Sequence, residues 1–168
     1  LDNAVQSCIE GRLLNAGQSC ISAKRIIVVD EIYEQFVEKI IRKLEQKTMG
    51  DPTVGVDIGP LVSAEARDNV ENQVQISIKA GAKLLMGGFI TSPKSAFYPI
   101  TVLSEVRPGM IAFDEEIFGP VFSLVRAKSE EEAIKLANLS KYGLGAAIFT
   151  QNIEKAEEIA NQKLNVGM

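Results

Sequence analysis

Arg25-Ile26-Ile27-Val28-Val29-Asp30-Glu31-Ile32-Tyr33-Glu34-Gln35-Phe36-Val37-Glu38-Lys39-Ile40-Ile41-Arg42-Lys43-Leu44 changes its period partway along. Residues 25–29 are an almost unbroken β-branched run, the composition of a buried strand. Beyond them Tyr33, Phe36, Val37, Ile40, Ile41 and Leu44 recur every third or fourth residue, which predicts a helix to about residue 47. Asp30 is suited to cap it. The opposite face carries Glu34, Glu38, Lys39 and Lys43, a solvated surface. The stretch therefore reads as one strand feeding one helix.

The same alternation continues in both directions. Upstream, Val5, Cys8, Ile9 and Leu13 predict a helix over residues 2–16 that Gly17 interrupts, leaving Cys20 on a turn. Downstream, residues 49–60 form a Gly- and Pro-rich connection, and Ser63 caps a helix to Lys79. Lys83–Met86 is a short strand, 89–96 is polar and turn-rich, and 98–106 is extended around Pro99. Val121–Ala127 is a strand, and Ser129 with Glu132 opens a helix ending near Ser140 through a capping box. Residues 145–150 read as a strand, 152–162 as a helix, and 164–166 as the start of another strand. Strands separated by helices of about ten residues or more require crossovers, hence a mainly parallel sheet covered on both faces. The predicted fold class is α/β, a three-layer α/β/α domain over residues 1–168. No long linker, repeat or low-complexity segment divides it. Both ends fall inside element patterns, so a chain cut at each end is expected.

Composition narrows the function. The net charge is −4 and no dense Lys/Arg block occurs, which argues against a nucleic-acid partner or a membrane surface. The apolar runs are strand length, too short to span a bilayer, and no signal peptide is visible. Two cysteines form no disulfide framework, so a reducing cytoplasm is expected. The chain has no histidine, which excludes Ser-His-Asp and Cys-His chemistry and any His-containing zinc site.

Two segments carry candidate chemistry. Asn15-Ala16-Gly17-Gln18-Ser19-Cys20 puts a thiol on a turn between a helix and a strand, where it is exposed and where backbone amides could meet an oxyanion. On spacing alone, a single cysteine is more often a small buried hydrophobe, and Cys8 on the apolar stripe has that reading. Asp114-Glu115-Glu116-Ile117-Phe118-Gly119-Pro120-Val121 places carboxylates and an aromatic before a turn and a strand. A carboxylate can hold a ribose diol and an aromatic can pack on a planar ring, but a polar turn with one buried Phe is the plainer alternative. Tyr142-Gly143-Leu144-Gly145 lacks the spacing of a dinucleotide fingerprint, and no P-loop is present. The sequon Asn138-Leu139-Ser140 reads as chance.

In this order the segments resemble the aldehyde dehydrogenase family. The resemblance spans the chain: Gly11-Arg12, Asn15 to Cys20, Met49-Gly50-Asp51-Pro52, Gly59-Pro60-Leu61, Gly81-Ala82-Lys83, Gly87-Gly88, Tyr98 to Leu103, Glu115 to Val121 and Tyr142-Gly143-Leu144. It implies that Cys20 is the nucleophile, attacking an aldehyde to give a thiohemiacetal that loses hydride to NAD or NADP, the thioester then being hydrolysed. It implies that Glu116 holds the nicotinamide ribose and Phe118 lies beside the nicotinamide. It gives Asn15 no oxyanion role. It also implies a homo-oligomer, a general-base Glu in a Leu-Glu-Leu-Gly-Gly motif ahead of residue 1, and a cofactor-binding domain mostly outside the chain.

Ser22-Ala23-Lys24-Arg25, Gln73-Val74, Arg107-Pro108-Gly109-Met110 and Ala112-Phe113 look most like bacterial succinate-semialdehyde dehydrogenases. Two positions depart from the better-known members. Leu14 stands where an Arg pairs with the substrate carboxylate, and Ser22 where a redox cysteine can stand. A broad-specificity aldehyde dehydrogenase, and a non-catalytic α/β binding module derived from the enzyme, are the alternatives. A thioester-forming cysteine hydrolase lacks a histidine base.

Overall fold

The computed structural model describes residues 1–90 and 92–167. Thr91, in the polar stretch expected over 89–96, and Met168, the expected cut end, lie outside the described residues. Helix α1 (Asp2–Leu13) leads into strand β1 (Arg25–Val29) and helix α2 (Asp30–Leu44). Helix α3 (Ala64–Lys79), strand β2 (Lys83–Met86) and strand β3 (Thr101–Ser104) follow. A single helical turn, α4 (Ile111–Asp114), precedes strand β4 (Val121–Ala127), helix α5 (Glu130–Asn138) and helix α6 (Ile153–Gln162).

The sheet has four strands in the order β1-β4-β3-β2. β4 pairs in parallel with β1 and with β3, while β2 joins antiparallel to β3. The expected mainly parallel α/β sheet is therefore present. Two arginines show that it is covered on both faces. Arg25 on β1 donates to the carbonyls of Leu136, Ala137 and Leu139 at the end of α5. Arg126 on β4, the register partner of Val28, lies 4.6 Å from the Tyr33 ring centroid on α2 and pairs with Asp30 and Glu34. Positions 25 and 28 point to opposite faces because side chains alternate along a strand. α2 and α5 thus lie on opposite sides of the sheet.

The core follows the expected pattern closely. Tyr33, Phe36, Ile40 and Leu44 of α2 pack with Val5, Cys8 and Ile9 of α1, and central β4 is buried along almost its whole length. Ser63 accepts from the Ala66 amide, and Ser129 from the Glu132 amide at the start of α5. The Glu132 carboxylate reaches back to the Lys128 amide, one residue earlier than the capping box assigned it.

Several expectations need correction. α1 stops at Leu13, because Asn15, Ala16 and Gly17 have φ of 52°, 55° and 77°. Left-handed residues cannot continue a right-handed helix. Asp30 is the first helical residue rather than the cap, and its carboxylate is held by Arg126. Only Thr101–Ser104 of the extended 98–106 stretch is strand. Residues 145–150 and 164–166 form no strand. The first segment has Phe149 about half exposed, and no described strand pairs with it. A β-branched run becomes a strand only where a neighbouring strand accepts its hydrogen bonds. Gly167 does donate to the Gly143 carbonyl at 2.8 Å, so the two segments touch at one point without forming a ladder.

Arg12 breaks the apolar stripe of α1. Its side chain is fully buried, and it donates through Nε to the Val121 carbonyl at 2.7 Å and through Nη2 to the Ile117 carbonyl at 2.6 Å and to the Gly119 carbonyl. Burial pulls its pKa down to about 10, against the attraction of Glu116, so it stays protonated at neutral pH. Replacing it removes the partner of three carbonyls, and each buried group left unpaired costs about 1–3 kcal/mol. Arg12→Met is expected to lower unfolding stability by about 3 kcal/mol or more; urea denaturation showing a loss below about 1 kcal/mol would contradict this role. Leu139, Tyr142, Leu144, Phe149 and Ile153 are each about half exposed or more. Exposed apolar side chains of this size favour association, so the 168-residue chain alone is expected to self-associate, and light scattering of a clean monomer at high concentration would refute that.

Candidate active site

The parallel pairing of β1 with β4 brings the two candidate segments together. Arg25 is in register with Ser123, and Cys20 and Phe118 stand equally far upstream of these partners. Both segments therefore arrive at the same end of the same strand pair. Their backbones meet at two glycines. A Cβ on Gly17, at φ +77°, would fall 2.2 Å from the Gly119 carbonyl oxygen. No side chain fits there, so only glycine permits this approach.

Between Leu13 and Cys20 the chain makes a tight left-handed turn. The Asn15 side-chain amide donates to the Gln18 carbonyl at 3.2 Å, and that of Gln18 donates to the Asn15 carbonyl at 3.1 Å. Gln18 Oε1 also accepts from the Val62 amide at 2.8 Å, anchoring the turn to the loop before α3. Consecutive left-handed residues other than glycine are strained, and such strain persists only where the surroundings hold it. Asn15 thus acts on the backbone of the turn. The amides of Gln18 and Ser22 are bonded to the Asn15 and Ser19 carbonyls, which removes both as oxyanion donors.

The turn exposes Cys20, while Cys8 is buried. Burial also pushes the Cys8 thiol up to about 11. Of the other expected site residues, Phe118 is exposed, unlike the buried Phe of the plainer reading, and Glu116 is half-buried. Gln73 on α3 donates to the Glu116 carbonyl at 3.2 Å and steadies that loop from behind.

Lys24 joins these parts. Its ammonium donates to the Ser19 carbonyl at 2.6 Å and the Ser22 carbonyl at 2.8 Å, on either side of Cys20. It lies 3.2 Å from Glu116 Oε1 and 5.5 Å from the Phe118 ring centroid. Burial, then repulsion from Arg12, lowers its pKa, while Glu116 opposes the shift. The sequence pattern offered no functional role for Lys24. Its one signal was a charged residue immediately before a β-branched run, close behind the thiol.

Leu14 is 54% exposed on the turn, an apolar surface where a carboxylate-binding Arg would stand. The Ser22 hydroxyl is buried without a partner. Asn138, in the chance sequon, binds the Lys163 carbonyl and the Asn165 amide, so its side chain has a structural role. Among the described residues no cluster of His, Cys, Asp and Glu could hold a metal ion, and no helix is long and apolar enough to cross a membrane.

The aldehyde dehydrogenase family pattern matches residues 1–168. The chain belongs to the aldehyde dehydrogenase family. It is 41% identical, over its whole length, to the succinate-semialdehyde dehydrogenase [NADP(+)] of Deinococcus radiodurans, of which it covers 35%. The fold matches the crystal structure of succinate-semialdehyde dehydrogenase from Burkholderia pseudomallei with a TM-score of 0.94 and 33% identity, covering 99% of this chain and 35% of that one. It also matches lactaldehyde dehydrogenase from Escherichia coli with a TM-score of 0.93 and 37% identity, covering 98% of this chain and 35% of that one. The chain therefore spans about a third of the length of the relatives it matches.

The two thiols should differ sharply in reactivity. An exposed cysteine is open to an alkylating reagent, whereas one buried with its pKa raised to about 11 stays protonated through neutral pH. At pH 7.5, brief iodoacetamide treatment followed by peptide mass spectrometry is expected to label Cys20 and spare Cys8; comparable labelling of the folded protein at both sites would refute the burial argument.

Proposed function

We propose that this aldehyde dehydrogenase domain oxidises succinate semialdehyde to the carboxylic acid with NAD or NADP, using Cys20 as the nucleophile. The observation that carries the reading is the convergence of Cys20, Glu116 and Phe118 around Lys24 at one end of β1 and β4. The thiolate of Cys20 would form a C–S bond to the aldehyde carbon, giving a thiohemiacetal. Hydrolysis of the derived thioester frees the acid and the thiol. The resemblance to the family implies that the base for that step is a Glu of a Leu-Glu-Leu-Gly-Gly motif, which residues 1–168 do not contain. The intact enzyme would act as a homo-oligomer in the cytoplasm.

The groups around Glu116 fit a nicotinamide nucleotide. Oε1 is engaged with Lys24, while the carboxylate stays 37% exposed and can take a ribose diol. Phe118 is 42% exposed, an uncovered aromatic that suits a planar ring. When bound, the nicotinamide ring accepts the hydride from the substrate carbon. Identity to a relative named for NADP(+) supports NADP.

Succinate semialdehyde is the preferred substrate because relatives in both comparisons carry that name. Exposed Leu14 favours a second reading, a broad-specificity aldehyde dehydrogenase, since an apolar side chain cannot bind the substrate carboxylate. A panel of aldehydes on the full-length protein separates them. A kcat/KM for succinate semialdehyde at least about tenfold above that for uncharged aldehydes of similar length supports the first, and near-equal values support the second.

In the full-length protein Cys20→Ser is expected to lower turnover by about three orders of magnitude or more, with Cys8→Ser close to wild type. Equal activity of the two variants would remove Cys20 from the mechanism. Glu116→Gln is expected to weaken cofactor binding or slow hydride transfer by about tenfold or more; a change confined to aldehyde affinity would count against the ribose role.

A further inference from the structure

We infer that Lys24 is a positioning residue that locks the Cys20 turn and the Glu116 carboxylate to one another, so that thiol and cofactor carboxylate are held as a single unit. The inference rests on the reading of Cys20 as nucleophile and Glu116 as the cofactor carboxylate.

An ammonium has three N–H donors and no acceptor. All three have partners here. Two reach the Ser19 and Ser22 carbonyls, which bracket Cys20 at 2.6 and 2.8 Å, and the third faces Glu116 Oε1 at 3.2 Å. The side chain is 18% exposed, so this ion pair is better shielded from water than a surface pair. Its ammonium lies over the Phe118 ring, 5.5 Å from the centroid. The bonds to Ser19 and Ser22 pin the left-handed turn just where its own side-chain bonds, those of Asn15 and Gln18, give out. A hydrophobic or shorter side chain would leave the Ser22 carbonyl without its ammonium partner, the Ser19 carbonyl with only the Ser22 amide, and the carboxylate free to rotate.

The arrangement gives Glu116 a division of labour. Lys24 engages Oε1 and leaves the other oxygen of the exposed carboxylate to the ribose. Arg12 adds positive charge behind the same carboxylate, from the buried side. Lys24 would therefore set the direction of the carboxylate without touching the cofactor.

A double-mutant cycle on the full-length enzyme tests this. Lys24→Met and Glu116→Gln are each expected to raise the Kd for NAD+ and NADP+, measured by calorimetry, by about tenfold. The double variant is expected to bind no worse than about twofold below the weaker single variant, because the second change removes an interaction already lost. In steady state, Lys24→Met should raise the cofactor KM more than the aldehyde KM. Lys24→Gln, which retains donors for the turn but not the charge, should reproduce the cofactor effect, and it serves if Lys24→Met does not fold. A Kd within about twofold of wild type in a folded Lys24 variant, or losses that multiply in the double variant, would overturn the coupling. If Glu116→Gln alone leaves cofactor affinity unchanged, the reading of Glu116 fails first, and the Lys24 inference falls with it.

Discussion

The Arg12 guanidinium is wholly buried in a domain of modest size, and the site depends on it. From α1 it reaches three carbonyls of the segment that enters β4. A buried cation without partners is costly, and so are buried carbonyls without donors. The bonds of Arg12 Nε and Nη2 to these carbonyls fix where α1 sits against that segment. α1 leads directly into the Cys20 turn, and the segment it grips carries Glu116 and Phe118. One hydrogen-bonded cation therefore holds the two motifs in contact, although they lie far apart along the chain.

The contact is made closer by small residues. Gly17 and Gly119 meet backbone to backbone, and Val70 covers Gly119 so tightly that a Cβ there would lie 2.9 Å from its Cγ2. The parallel register of β1 and β4 then sets both segments at equal depth. Packing on this scale tolerates little change. The thiol and the carboxylate thus inherit their spacing from the sheet and from the glycine contact. Lys24 adjusts the final orientation.

The two cysteines illustrate how environment divides identical chemistry. Cys8 lies on the apolar face of α1, where burial disfavours its thiolate. Cys20 stands on a turn that left-handed backbone lifts clear of that face. The helical pattern in the sequence ran on to residue 16, and the structure ends it at Leu13. That difference is about one turn of helix, and with either end Cys20 falls on the turn beyond it. It was not legible in the periodicity, since Ala16 is a strong helix former and Asn15 tolerates a helix, so nothing local announces the left-handed turn they adopt here.

The sequence by itself determined the alternation of strands and helices, the stripe of α2, the caps at Ser63 and Ser129, and the identity of the chemically suited side chains. These follow from local periodicity and side-chain type, which a single segment carries within itself. It misjudged residues 145–150, whose apolar side chains suit a strand but have no described strand beside them. Only the tertiary structure decided that β1 and β4 are neighbours in register, that Arg12 faces the core, and that Lys24 lies between Cys20, Glu116 and Phe118. These are relations between segments remote in the chain. They are set by which strands pair and by which buried polar groups must find partners, and no local pattern encodes that choice.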